Sequence, residues 1–173
     1  MSFKEAVQQG FELVKLNRPV FRQVALDPEA FTPALMIVAL AGIADWLSPP
    51  LAGLGFLYMP IREVIGLVVV TAVIHFTVIV LGGRGDYLAL FRLMGFTWII
   101  RWLLIVPVIG GPIALIWWLV MTVVAVEELF GFDRMKAIVT VIVPFAAFML
   151  LTFIFTVLFG IAMIGFMGFS AMW

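Results

Sequence analysis

The sequence predicts an all-α, polytopic membrane helix bundle, with five transmembrane helices and an N-terminal amphipathic helix lying in the membrane interface. Three observations carry this. Of the 173 residues, 65% are hydrophobic and only 12% charged, against roughly 45–50% and about 25% in soluble domains. Such a chain lacks the polar surface to cover a water-soluble globule. Residues 64–81 contain a single ionisable side chain, His75, and the run suffices to cross hydrocarbon, which takes about 20 apolar residues. A polar turn, Gly82-Gly83-Arg84-Gly85-Asp86, then leads into a second apolar run over residues 87–106, so the two runs form an antiparallel hairpin across the bilayer.

The elements follow in order. Between Ser2 and Leu16, Phe3, Val7, Phe11 and Val14 recur at helical spacing, with Lys4, Glu5, Gln8, Gln9, Glu12 and Lys15 between them. This stripe predicts a helix whose apolar face contacts the membrane surface. It has neither the apolar core nor the small-residue cleavage site of a signal peptide. Asn17-Arg18-Pro19 and Leu26-Asp27-Pro28-Glu29 read as breaks. Thr32 caps the first span and Pro33 occupies its first turn. That span runs to Leu47, interrupted only by Asp45, and stops at Ser48-Pro49-Pro50.

Residues 48–60 read as a Gly- and Pro-punctuated loop at the far interface, with Trp46 and Tyr58 at headgroup level. Arg62 and Glu63 begin the second span. After the hairpin, residues 107–112 (PVIGGP) form a turn. A short fourth span covers residues 113–126, with Glu127 and Glu128 at its end and Leu129 and Phe130 completing it. A loop over 131–136 precedes a fifth span with a kink at Pro144 and an apolar tail. The expected domains are a cytoplasmic amphipathic segment, residues 1–30, and a transmembrane domain, residues 31–173.

Lys and Arg set the orientation. Lys4, Lys15, Arg18, Arg22, Arg84, Arg92, Arg134 and Lys136 fall on one side, against Arg62 and Arg101 on the other. The positive-inside rule then places the N-terminus in the cytoplasm and the C-terminus outside.

Composition narrows function chiefly by exclusion. Ten basic and ten acidic residues cancel, which argues against nucleic acid as a partner. No cysteine and a single histidine leave no disulfide framework, thiol chemistry or ordinary zinc site, and no cofactor is expected. Gly82-Gly83-Arg84-Gly85 lacks the Lys-Ser/Thr of a P-loop. No catalytic set of residues occurs, so the chain reads as non-enzymatic.

The layout resembles the prokaryotic branch of the Yip1 domain family. The matching stretches are RPVFRQVALDPEAF before the first span, GGRGDY leading into LFRLMGFT, and IWWLVMTVVAVEELFGFDRMKA over the fourth. The resemblance covers nearly the whole chain and rests on spacing and residue class. It implies an integral protein of the cytoplasmic membrane, whose partners are lipids, further copies of itself or other membrane proteins. Eukaryotic members are Golgi and endoplasmic-reticulum proteins linked to Rab GTPases and membrane shaping. The function expected is a scaffold that binds protein or lipid partners. The alternative is a small transporter or channel with a polar path near Asp45, His75 and Arg101.

The candidate site is the set of ionisable groups at membrane depth: Asp45, Arg62, Glu63, His75 and Arg101. A charge at the bilayer centre costs about 2.5–3.5 kcal/mol on insertion scales, so each needs a partner or a water path. Counting along the two outward-running spans puts Asp45 and Arg101 at similar depth, which predicts an Asp45–Arg101 ion pair; it reads first as structural glue between spans, and alternatively as part of a polar cavity lined with Arg62 and Glu63. His75 reads as an interhelical contact with Thr71 and Thr77 as local partners. Glu127 and Glu128 are expected to pair with Arg134 or Lys136.

Overall fold

The computed structural model describes residues 1–47, 55–106 and 108–170. Its helices are α1 Phe3–Val14, α2 Arg18–Leu26, a 3₁₀ turn Pro28–Ala30, α3 Phe31–Leu47, α4 Gly55–Val80, α5 Tyr87–Thr97, a 3₁₀ segment Trp98–Ile105, α6 Gly110–Phe130 and α7 Arg134–Ser170. Five of these stretches are long and apolar enough to cross a membrane, with α5 and the 3₁₀ segment forming one of them. The chain is an all-helical membrane protein.

Several boundaries differ from the sequence reading, each for a local reason. The first span begins earlier than Thr32-Pro33. Asp27 accepts a bond from the Glu29 amide at 2.9 Å, with Pro28 at the first position, so capping and N-terminal proline act together five residues upstream. Of the predicted far loop, residues 48–54 lie outside the described residues, and from Gly55 the chain is already helical, with Pro60 inside α4. Gly110 rather than Ile113 opens α6. Pro112 is tolerated there because the first four helical amides have no intrahelical acceptor anyway. α6 ends on Gly131, whose left-handed φ of 64° lets its amide bond back to the Glu127 carbonyl. α7 stays helical through Pro144.

The chain divides into two compact units, residues 1–141 and 142–173. The described residues of the second, 142–170, are the remainder of α7, whose side chains are exposed or half-buried from Ile142 to Ile161. In the first unit, α3 and α5 start, and α4 and α6 finish, at one end, called here the near end. The turn residues Val108 and Ile109 mark the far end. The third span is the axis: 61% of it is buried, against 28% of the second. Water cannot drive helix association within hydrocarbon, so close packing must. Gly42 lets α3 meet the backbone of α4 at Pro60, and Gly95 lets α5 meet Ala34 of α3.

Residues 1–30 belong to this same unit and are not set apart from it. A capping box at Ser2 and Glu5 starts α1. Ala6, Gly10 and Leu13 then bury one face of α1, and a Cβ at Gly10 would strike the Ile99 side chain. Phe3 and Phe11 stay exposed, while Val7 and Val14 pack half-buried against the core. The apolar stripe is therefore shared between the bundle and the surroundings. Leu16 turns the chain with φ 60°, and α2 returns along α5, burying Phe21, Val24 and Ala25.

Candidate functional site

Beyond Thr97 the third span tightens from α to 3₁₀. The Thr97 hydroxyl bonds back three residues to the Met94 carbonyl at 2.7 Å, which suits the tighter turn. Runs of 3₁₀ helix longer than 3–4 residues are uncommon, and this one spans eight. Side-chain anchors hold it. At three residues per turn, positions i and i+3 eclipse, so Trp98 and Arg101 stack in one column and reach a single acceptor, Glu63.

Glu63 is the hub. It is only 3% exposed. Its Oε1 accepts from Arg62 Nη2 at 2.7 Å and Arg101 Nη2 at 3.2 Å. Its Oε2 accepts from Trp98 Nε1 at 2.8 Å and faces Arg101 Nη1 at 2.9 Å. Arg101 thus grips both oxygens in a fork, the strongest geometry for a carboxylate. Arg62 donates in turn to Asp45 on α3, and Trp98 lies edge-on to Trp118 of α6 at 5.6 Å. Two carboxylates and two guanidiniums cancel, and the cluster ties α3, α4 and the 3₁₀ segment together.

The predicted residues therefore meet, but not in the predicted pairs. Asp45 pairs with Arg62, and Arg101 with Glu63. Counting along the chain gives depth but not rotation about a helix axis, and rotation chose the partners. Trp98 was missed; an indole three residues from an Arg within a membrane span was the available signal.

A groove of about 220 Å³ lies beside the cluster, lined by Leu40, Ile43, Ala44 and Leu47 of α3 with Trp102 and Ile105. None of these side chains carries a charge, so this groove is no polar path to the four ionised groups.

His75 stands apart from the cluster. Tyr87 meets it edge-on at 5.6 Å and Phe130 at 6.4 Å. Neither expected local partner bonds to it: the Thr77 hydroxyl bonds to the Val73 carbonyl, and Thr71 Oγ1 and His75 Nδ1 are buried without a hydrogen-bond partner among the described residues. The residue is an interhelical contact, made through rings.

At the near end, Glu127 takes Arg134 as expected, at 3.2 Å. A partner absent from the sequence reading is Arg18 of α2, which forks across Glu127 at 2.7 Å and Glu128 at 2.6 Å. Those bonds, to Glu127 first and Glu128 second, hold the Arg18 guanidinium still more firmly protonated than usual. Lys136 stacks on the Phe132 ring at 4.3 Å instead.

The tip between α1 and α2 has its own ion pair. Glu12 accepts from Lys15 at 2.6 Å and from Asn17 Nδ2 at 3.0 Å, which lowers its pKa below the ordinary 4.5. A carboxyl depressed on folding contributes stability above its ordinary pKa and loses it as pH falls through the depressed one. The tip should therefore tighten little above pH 5 and loosen on further acidification. A nitroxide at Gln8 should report this as increased mobility at low pH, abolished in Glu12→Gln.

Comparison with the curated proteins and with the solved structures yields no match. The profile of the Yip1 domain matches residues 13–156, from the end of α1 into α7, and so takes in α2, the charge cluster and all of α3 to α6. The chain belongs to the Yip1 domain family of membrane proteins.

Proposed function

We propose that this protein is a non-enzymatic membrane scaffold that binds lipid or protein partners and organises the bilayer around it. One observation carries this reading: the ionised groups at membrane depth satisfy one another. Glu63 receives donors at both oxygens, Asp45 shares the Arg62 Nη2 donor with Glu63, and the cluster is electroneutral. Charges matched in this way leave none uncompensated, whereas removing one partner strands the other. A transport path needs groups that bind cargo and let it go.

A small transporter is the second reading, favoured by the 3₁₀ segment. Interrupted helices near the midplane are where secondary transporters bind cargo, and Arg101 sits in such an interruption. Proteoliposomes loaded with a pH dye, under an imposed proton gradient and potential, separate the two. The scaffold reading expects the leak of protein-free vesicles. A flux that vanishes in Arg101→Gln, in protein still folded, overturns it.

The orientation proposed is near end inside. Single cysteines at Arg84, in the near turn, and at Val108, 90% exposed in the far turn, should label from opposite sides. The natural chain contains no cysteine, so the signal has no background. Labelling of Arg84 from outside reverses the orientation, and same-side labelling removes the odd number of spans between them.

A further inference from the structure

The bundle's two flanks disagree about where hydrocarbon ends. On the α4 flank, exposed apolar side chains continue to the near end: Phe76, Ile79 and Val80 are all open to the surroundings. Gly83, just beyond, lies against Phe132, so Val80 is level with the end of α6. Hydrocarbon must reach that level to cover those residues. On the opposite flank stands the α1–α2 hairpin. Trp117 of α6 donates its indole N–H to the Val14 carbonyl at 2.9 Å, and Gly10 packs on Ile99. Trp117 lies thirteen residues before Phe130, or about 20 Å at 1.5 Å per residue. Next to Val14 are Glu12, Lys15 and Asn17, and the Lys15 side chain is 68% exposed.

An ionic knot thus faces outward at roughly mid-height of a helix whose 21 residues span about the 30 Å of a hydrocarbon core. Open Lys and Glu side chains are not left in dry hydrocarbon. The Arg18 fork to Glu127 and Glu128 and the Trp117 bond fix the hairpin where it is, so the bilayer must yield.

We propose that the α1–α2 hairpin draws the phospholipid headgroups of the near leaflet up to its tip, thinning that leaflet on one flank of the protein. The ligand is a zwitterionic headgroup: Lys15 Nζ has donors to spare for a phosphate, and Glu12, with Lys15 and Asn17 on separate oxygens, retains lone pairs for an amine or choline group. An anionic patch or a cationic one would select charged lipids; a neutral pair of opposite charges selects neither. The inference stands whichever face of the membrane the near end occupies.

The test inverts the normal depth gradient. Nitroxides are placed singly at Asn17, on the tip, and at Phe76, on α4 and closer to the near end, in full-length protein in phosphatidylcholine vesicles. The label at Asn17 should be accessible to a water-soluble nickel chelate and the label at Phe76 to oxygen only, although Asn17 lies farther along the bundle. A dry label at Asn17 overturns the proposal. A fluorophore at each position is then challenged with phosphatidylcholine carrying a nitroxide on its headgroup. Quenching several-fold stronger at position 17 than at 76 supports bound headgroups. Water access without that quenching means a hydrated cleft alone, and sinks the headgroup site. In the Glu12→Leu, Lys15→Leu pair of substitutions, with the fluorophore still at 17, the excess quenching should disappear while the Phe76 reading is unchanged. Quenching that persists there places the headgroups elsewhere.

Discussion

Replacement of Glu63 by leucine is expected to be the most damaging single change in the bundle. It leaves two guanidiniums with one carboxylate between them and strands the Trp98 N–H. Removing one partner of a buried ion pair costs roughly 3–5 kcal/mol in soluble proteins. Arg62 is 40% exposed and can turn outward, so Arg101 bears most of that loss. Glu63→Gln should cost less, because the amide oxygen still accepts one bond. The Glu63→Gln, Arg101→Gln double variant should recover part of the deficit, since two amides can bond to each other without charge. A double-mutant cycle on unfolding in mixed detergent reads the coupling directly. The same cycle on Asp45 and Arg101 should return a value near zero, because Asp45 belongs to Arg62. Strong Asp45–Arg101 coupling, or purely additive losses at Glu63 and Arg101, would refute the arrangement.

Gly42→Leu is the second large effect. Even a methyl at this position would sit 2.6 Å from the Pro60 Cα and nitrogen. These are backbone atoms of a ring-locked residue, which cannot step aside as a side-chain tip can. Overpacking a core typically costs about 1–3 kcal/mol, and this site sits at the upper end or beyond, because α3 and α4 must separate. Separation also pulls Asp45, one turn along α3, from Arg62. Gly42→Ala should therefore weaken the Asp45–Arg62 coupling as well as overall stability. Gly66, half-buried but with nothing within 4 Å of an added Cβ, supplies the control: Gly66→Ala should be neutral or mildly stabilising, as expected of a helical glycine with room for a methyl. Equal losses at the two positions would mean that close approach is not what Gly42 provides.

How far the chain could be read before folding follows from these residues. Five spans were legible because apolar runs and polar turns report directly on hydrocarbon, and Glu127 with Arg134 was legible because one turn separates them. The 3₁₀ segment was not. Residues 98–105 (WIIRWLLI) are apolar but for Arg101 and unbroken by Gly or Pro, and their anchor is a carboxylate 35 residues from Trp98. Nor was the seat of α1 legible. Phe3, Val7, Phe11 and Val14 form the stripe that helical spacing picks out, yet the buried face is Ala6, Gly10 and Leu13, where the small Ala6 and Gly10 let the helices approach and Leu13 fills the contact. Hydrophobicity identifies what avoids water. In a membrane it does not identify what packs.

The division of the charge cluster between elements has a consequence for how the chain is made. Spans enter the bilayer in order of synthesis, and each isolated charge opposes entry by about 2.5–3.5 kcal/mol. Asp45 belongs to α3 and Arg62 to α4, so the first two spans carry opposite charges that meet only if they leave the insertion machinery together. Glu63 goes in with them and remains one positive charge short until Arg101 arrives with the third span. Assembly is thereby ordered: an early two-helix intermediate bearing a net negative charge, completed and neutralised by a later cation. Nascent chains arrested just after residue 80 should insert less completely when Arg62 is replaced by leucine, and Arg101 should matter only once the third span has emerged.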